Sequence, residues 1–337
     1  MCPVSGSPDQ GPAAAPPSAR ASGRRAAPSA RPVQSGAVTW QQSLNRALAT
    51  ATGFEIRRAG SPSRRRGGSR RTPAVRGPVA EQRLVTAPTF ILCTLRSGST
   101  LLRVLLNSHS QIHAPHELHL RYVSVKLANT WAERAMREMG LDARRAQYVL
   151  WDRLLHRELA GSGKRLIVDK TPNNVFIADR LRECWPDARF IFLLRHPAAI
   201  ARSRKALRPQ ADDEKNVDVT LRYCEALERA RQTYDGPTVR YEELAANPEP
   251  TMRRLCAFLG VPWEPAMLQY GRFEHGPYRA GLGDWADKIK TGEVQPPDPP
   301  PAPDEIPERL RAMCATWGYL PEGGAAVPPA ATAAADA

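Results

Sequence analysis

The 337-residue sequence predicts an α/β fold in three layers, α/β/α, with a parallel sheet in the middle. Three observations carry this expectation. From about residue 84, strand-like and helix-like segments alternate, as repeated βα units do. The strand-like segments are apolar throughout, as in Phe190-Ile191-Phe192-Leu193-Leu194, which fits strands covered on both faces. The first of them, Phe90-Ile91-Leu92-Cys93, ends in a short polar turn that runs straight into a helical pattern. That geometry turns backbone N–H groups and a helix dipole toward an anion.

Taken in order, strands are expected at 89–95, 165–169, 189–194 and 238–241, each followed by a helix, at 100–107, 174–184, 198–207 and 250–259. Residues 119–160 and 212–235 read as helical insertions suited to walling a substrate cavity, and a last amphipathic helix is expected over 307–317 after a proline run. This gives one domain over 84–320. Residues 1–83 are Pro-, Ser-, Gly-, Ala- and Arg-rich and are expected to form a disordered basic extension, with a short docking helix near 40–58. Residues 321–337 are expected to be a disordered tail.

The net charge of +14 invites a nucleic-acid reading, but its distribution argues against one. Residues 1–80 hold thirteen Arg, no Lys and two acids, Asp9 and Glu55, for a net of +11, which leaves +3 for residues 81–337. The basicity belongs to a tail. Such a tail is a solvated extension or a binder of polyanions or membrane surfaces, and an organelle transit peptide has the same composition. No specific nucleic-acid partner is expected. The six cysteines, at 2, 93, 184, 224, 256 and 314, include no CxxC pair, which excludes a zinc ribbon and a disulfide framework. Cys93 reads as a small buried hydrophobe. No apolar run approaches the roughly 18 residues of a membrane span. A cytoplasmic protein is expected.

Four motifs follow the strands, where open α/β sheets bind ligands. Arg96-Ser97-Gly98-Ser99-Thr100-Leu101 closes the first: Gly98 allows close backbone approach, and Ser99 and Thr100 offer hydroxyls and helix N-terminal N–H groups. It lacks the Gly-Lys-Ser/Thr ending of a nucleotide-hydrolysing P-loop, which argues against a P-loop kinase or NTPase. Asp169-Lys170-Thr171-Pro172-Asn173-Asn174 ends another strand and offers a mobile point charge at Lys170, or simply a helix-capping turn through Asn173 or Asn174. Arg195 ends the longest apolar strand, with Ser203 eight residues on, a pair able to grip a phosphate; the bland reading is a surface Arg before a proline-started helix. Far along the chain, Gly283-Asp284-Trp285 with Lys288 offers an aromatic face and positive charge.

Together these motifs resemble the sulfotransferase family that uses 3′-phosphoadenosine-5′-phosphosulfate (PAPS) as donor, over residues 84–320. The resemblance implies a P-loop-NTPase-like parallel sheet in the three-layer fold and transfer of a sulfuryl group to a hydroxyl acceptor, without a metal. By it, Arg96, Ser97, Gly98, Ser99, Thr100 and Leu101 form the 5′-phosphosulfate loop, and Arg195 and Ser203 the 3′-phosphate site. Tyr241 belongs to a recurrent strand-and-turn segment, and Trp285 and Lys288 to a late loop that closes on the nucleotide. The Arg-Ser-Gly loop with Glu117 placed 21 residues after Arg96 is closest to the branch that holds tyrosylprotein sulfotransferases and many bacterial enzymes. It departs from the Lys-x-Gly-x-Thr loop of cytosolic aryl and steroid enzymes, so their catalytic His is not carried over. The resemblance makes Glu117 the general base, with Arg96 and Lys170 stabilising developing charge.

The stretch around that Glu leaves two alternatives. His116, adjacent to Glu117, is the second candidate for the base, since His is the commoner general base across enzymes. His113, His116 and His119 with Glu117 are also dense enough for a metal site. Their spacing does not match HExxH, however, and Pro115 breaks the helix that would align them, so no metal is expected. Nothing in the sequence names the acceptor, which is expected to be a small hydroxylated molecule. A non-catalytic polyanion-binding protein acting through residues 1–80 is the rival from outside enzymology.

Overall fold

The computed structural model describes residues 83–276 and 287–320. The chain divides into two units, Met1–Pro73 and Ala74–Ala337, and every described residue belongs to the second. The expected extension, its helix near 40–58, the tail 321–337 and Trp285 lie outside the described residues.

In order, the described elements are β1 (Thr89–Cys93), α1 (Ser99–Asn107), β2 (Ile112–His113), α2 (Thr130–Glu138), α3 (Ala143–Ser162) and β3 (Leu166–Asp169). A 3₁₀ turn (Pro172–Phe176) then leads to α4 (Ala178–Cys184), β4 (Arg189–Leu194), α5 (Pro197–Leu207), α6 (Asp213–Thr233) and β5 (Thr238–Arg240). Finally come α7 (Tyr241–Ala246), α8 (Pro248–Leu259), a 3₁₀ turn (Asp287–Thr291) and α9 (Glu308–Thr316). The strands form one sheet in the order β2-β3-β1-β4-β5, with every pair parallel. Side chains alternate across it as strand geometry requires. Phe90 and Leu92 pack with Trp151, Trp185 and Leu227 on one face, while Ile91 and Cys93 pack with Leu102, Leu105 and Leu255 on the other. Two apolar faces, each roofed by helices, give the three layers.

Three elements differ from expectation. β2 pairs only Ile112↔Leu166 and His113↔Ile167 at the sheet edge, too short to leave a sequence pattern. The expected helix over 174–184 is split, because Pro172 opens a separate turn and the Asn174 side chain is drawn inward to Asp169, so neither Asn173 nor Asn174 caps α4. The strand expected over 238–241 ends at Arg240, and Tyr241 starts a short helix of its own. Elsewhere, α6 and α9 lie inside the stretches assigned to them.

The order of strands decides where ligands can sit. From β1 the chain passes out to the edge at β2, returns to β3 beside β1, then crosses to β4 on the other side of β1. Connections thus diverge around β1, and the crevice that this leaves lies above the carboxyl ends of β1, β3 and β4. The turns that leave those strands are the ones that carry Arg96, Lys170 and Arg195. None of the described helices is long and apolar enough to cross a membrane.

Candidate active site

A cavity of about 970 Å³ opens at that crevice. Eleven of the fourteen residues expected at the site line it: Arg96, Gly98, Ser99, Thr100, Leu101, Glu117, Lys170, Arg195, Ser203, Tyr241 and Lys288. Ser97 and His116 do not, and Trp285 lies outside the described residues.

The turn after β1 is shaped by two left-handed residues, Arg96 (φ 62°) and Gly98 (φ 79°). Gly98 is the N-cap of α1 and offers no side-chain cap, so the first N–H groups of the helix are left for a ligand. The Tyr241 ring lies against Gly98 so closely that a Cβ there would collide with it. Ser97 is fully buried and donates its hydroxyl to the Thr94 carbonyl at 2.9 Å; its side chain braces the turn, and only its backbone faces outward chemistry. The loop therefore offers the cavity main-chain N–H groups more than side chains.

Arg195 and Ser203 are joined through Arg96 rather than to each other. Arg195 donates to the Arg96 carbonyl at 2.8 Å, and Arg96 Nε donates to Ser203 Oγ at 3.3 Å. The Arg195 guanidinium also stacks 4.5 Å above the Tyr241 ring. Burial pulls its pKa below the ordinary value, with Tyr241, Glu242 and Asp298 opposing the shift. A buried cation in that state gains from the arrival of an anion. Lys288, from the 3₁₀ turn Asp287–Thr291, pairs with Asp298 at 2.8 Å across the cavity rim, and that bond holds the Asp298 carboxyl below its usual range.

The second cluster hangs from β3. Lys170, 1% exposed, donates to Glu117 Oε1 at 2.5 Å. His119 Nε2 lies 3.5 Å from the other carboxylate oxygen. Thr171 connects the two segments: its hydroxyl donates to Asp169 Oδ1 at 3.0 Å and accepts from the N–H groups of Leu118 (3.1 Å) and His119 (3.4 Å). Asn174 completes the clip by donating to Asp169 Oδ2 at 2.7 Å. Burial raises the Asp169 pKa, against the hydrogen bonds from Asn174 and Thr171. Glu117 is thus held by its neighbours' backbone to the end of the strand that supplies Lys170. Thr171→Val removes both halves of this clip and leaves buried N–H and carboxylate groups unpaired, a destabilisation of about 1–3 kcal/mol. The expected outcome is a lower Tm in thermal unfolding, by about 2–4 °C per kcal/mol lost.

His116 points elsewhere: it is exposed, and its Nδ1 lies 3.0 Å from the Glu117 carbonyl. His113 pairs with Glu158 at 3.5 Å, so the three histidines disperse rather than converge. His119 is the one that reaches the cavity, from a left-handed backbone (φ 51°). Arg96 and His119 are the two non-glycine residues with positive φ among the described residues, and both line the cavity. Strain of this kind concentrates at functional sites.

Sequence reasoning missed Thr171, Asp169 and Asn174 as a positioning clip, although an acid, a hydroxyl and an amide at i, i+2 and i+5 after a strand were visible. Of the wall formed by Arg204, Leu207, Arg208, Lys215 and Val219, it expected the part within 212–235, Lys215 and Val219, and missed Arg204, Leu207 and Arg208. Of residues 119–160, expected as a wall, only His119 lines the cavity. Helix α3 instead packs its buried face, including Tyr148, Trp151 and Leu155, on the sheet.

Fold and geometry define an α/β protein with an uncapped helix start at the end of its first strand and a Lys170–Glu117 ion pair at the end of a neighbouring one. A sequence model of the sulfotransferase family matches residues 88–265, more than half of the chain, and the chain belongs to that family. Among curated relatives, nodulation protein NoeE of Sinorhizobium fredii is 29% identical, over 56% of this chain and 53% of its own length. Protein-tyrosine sulfotransferase 1 of Danio rerio is 26% identical, over 54% of this chain and 55% of its own. The chain thus spans about half the length of the curated relatives it matches. The sulfotransferase domain from the Synechococcus PCC 7002 olefin synthase superposes with a TM-score of 0.53 at 23% identity, covering 71% of this chain and 97% of that one, a likeness of fold.

Proposed function

We propose that the protein transfers a sulfuryl group from PAPS to a hydroxyl acceptor, with Glu117 as the general base. The observation that carries this reading is the Lys170–Glu117 contact on the wall of the cavity that also contains the 96–101 loop and Arg195. Bound PAPS supplies an activated sulfuryl group on a phosphate leaving group. The acceptor oxygen forms the new bond to sulfur as the bond from sulfur to the bridging oxygen breaks, the hydroxyl proton passes to Glu117, and 3′-phosphoadenosine 5′-phosphate (PAP) departs. A base is required because the attacking hydroxyl sheds its proton as the bond forms.

The rest is positioning and charge stabilisation, as in phosphoryl transfer. The N–H groups of residues 97–101 and the hydroxyls of Ser99 and Thr100 hold the 5′ end of the donor. Arg195 and Ser203 hold its 3′-phosphate, with Tyr241 beneath Arg195. Lys170 and Arg96 face the bridging and sulfuryl oxygens, where negative charge grows. Lys288 can exchange Asp298 for a donor phosphate. The cation set meets the charge demand without a metal. The five described cysteines are free and buried, which suits a reducing cytoplasm.

The test is ligand binding. PAP at a hundredfold excess over its Kd should stabilise the protein by about 2.7 kcal/mol, a rise of roughly 5–10 °C in Tm for a domain of this size. No rise at millimolar PAP in well-folded protein would remove the assignment. Arg195→Ala should weaken PAP binding by about tenfold or more, as loss of a charge-assisted phosphate contact does, while KM for the acceptor moves little. Unchanged PAP affinity would mean that the 3′-phosphate binds elsewhere.

A further inference from the structure

The cavity carries more positive charge than the donor site uses. Its lining includes seven cations (Arg96, Lys170, Arg195, Arg204, Arg208, Lys215 and Lys288) and four carboxylates (Glu117, Asp212, Glu293 and Asp298). Lys170 is answered by Glu117 and Lys288 by Asp298, and Arg96 and Arg195 meet at the 5′-loop. The remaining three, Arg204, Arg208 and Lys215, stand on one wall, made by the C-terminal half of α5, the linker and the start of α6.

That wall offers them no carboxylate partner among the described residues. Of the acids on that stretch, Asp213 pairs with Lys205 at 2.8 Å and Asp218 with Arg309, while Asp212, the one that lines the cavity, caps α6 by accepting from the Lys215 N–H at 2.8 Å. Half-buried Arg204 donates Nε to the neutral amide of Asn216 at 3.0 Å. Burial, and then the like charges of Arg208 and Arg222, lower the pKa of Arg204, with Tyr223 opposing. Arg121 and Arg222 extend the cluster, stacking on Phe176 at 4.5 and 5.4 Å.

The wall faces the chemistry. Tyr223, which feels the charges of Arg222, Arg121 and Arg204, donates its hydroxyl to Asn173 Oδ1 at 2.5 Å, and Asn173 lines the cavity three residues after Lys170. Leu207 and Val219 put apolar surface between the cations. Like charges gathered on one wall repel one another, and an arriving anion neutralises them.

We propose that the acceptor is a hydroxylated anion: a molecule whose carboxylate or phosphate docks on Arg204, Arg208 and Lys215, and whose apolar body carries its hydroxyl to Glu117. The inference rests on the transferase reading and deepens it. Arginine and lysine on this wall select the charged end, and the reacting end is selected by the Lys170–Glu117 pair.

The experiment uses the full chain, saturated with PAP for binding so that the donor site is filled, and with labelled PAPS in place of PAP for turnover. ω-Hydroxyalkanoates, ω-hydroxyalkyl phosphates and α,ω-diols of matched chain length are compared as ligands by calorimetry in the first arm, and as acceptors in the second. The anionic series should bind at least about tenfold more tightly than the diols, the size of one charge-assisted contact. Which anionic series binds better identifies the headgroup. Arg208→Ala with Lys215→Ala, both exposed and safe for folding, should erase the preference by raising KM for the anionic acceptors with kcat for the diols unchanged. Arg208→Glu should reverse it. Equal affinity for anions and diols, or a preference that survives the double variant, overturns the proposal. So does a PAP affinity that falls with the double variant as far as anion affinity does, because the three cations would then belong to the donor site. PAP failing to bind at all overturns the transferase reading first and separately.

Discussion

Glu117→Gln should lower turnover by about 10²–10⁴-fold, the usual range for removing a general base, while PAP binds nearly as in the wild type. The amide keeps the shape of the carboxylate and still accepts from Lys170 through its oxygen, so the segment 117–119 stays clipped to Thr171. What it cannot do is take the proton of the attacking hydroxyl. Some loss of stability accompanies the change, about 1–3 kcal/mol, because the ammonium of Lys170 is buried and loses its counter-charge. The measurement is single-turnover transfer with labelled donor, beside a PAP titration of the same preparation. Wild-type turnover in the Gln variant would mean that the base is another group. His119, on the cavity and 3.5 Å from Glu117, would then come before His116, which is exposed and faces away.

Gly98→Ala should act by a different route, lost donor binding. Two penalties add at one atom. A left-handed backbone costs a residue with a Cβ about 1–2 kcal/mol, and here the new methyl would also collide with the Tyr241 ring. Relief requires either the turn to abandon the conformation that aims its N–H groups, or Tyr241 to leave Arg195. PAP affinity should fall by about tenfold or more, with Tm of the free protein lowered. Gly98→Ala combined with Tyr241→Ala separates the two effects: it removes the collision and keeps the backbone strain, so donor affinity should recover only in part. A single variant with unchanged PAP affinity would show that the main-chain cradle is not the donor's anchor.

Most of the scaffold was legible in the sequence because its signals are local. β1 and β4 are buried on both faces and read as unbroken apolar runs. The turns that leave them carry Arg96 and Arg195 at fixed offsets, so the donor side of the cavity could be read from one strand end at a time. Lys170 was legible as a cation at a strand end and Glu117 came from the resemblance, but no periodicity links two residues 53 positions apart; the pairing of β2 with β3 and the Thr171 clip bring their segments together. Adjacency misdirected attention to His116. In irregular backbone, neighbours in sequence diverge, and a left-handed turn at His119 sends that ring inward instead. The α6 part of the α5–α6 wall fell within the expected 212–235 stretch, but its other half did not. Arg204 in α5 and Arg208 just beyond its end look like any solvated face until the sheet order is known.

The Asp169–Thr171 clip has an evolutionary consequence. It ties the segment carrying Glu117 to the strand end carrying Lys170, so the two groups to which we assign the proton and the leaving oxygen are held together. The wall opposite belongs to other helices and shares no hydrogen bond with that clip among the described residues. Drift or selection can therefore rewrite residues 204–219 without disturbing the reaction geometry. A lineage built this way can change its customers while keeping its machinery.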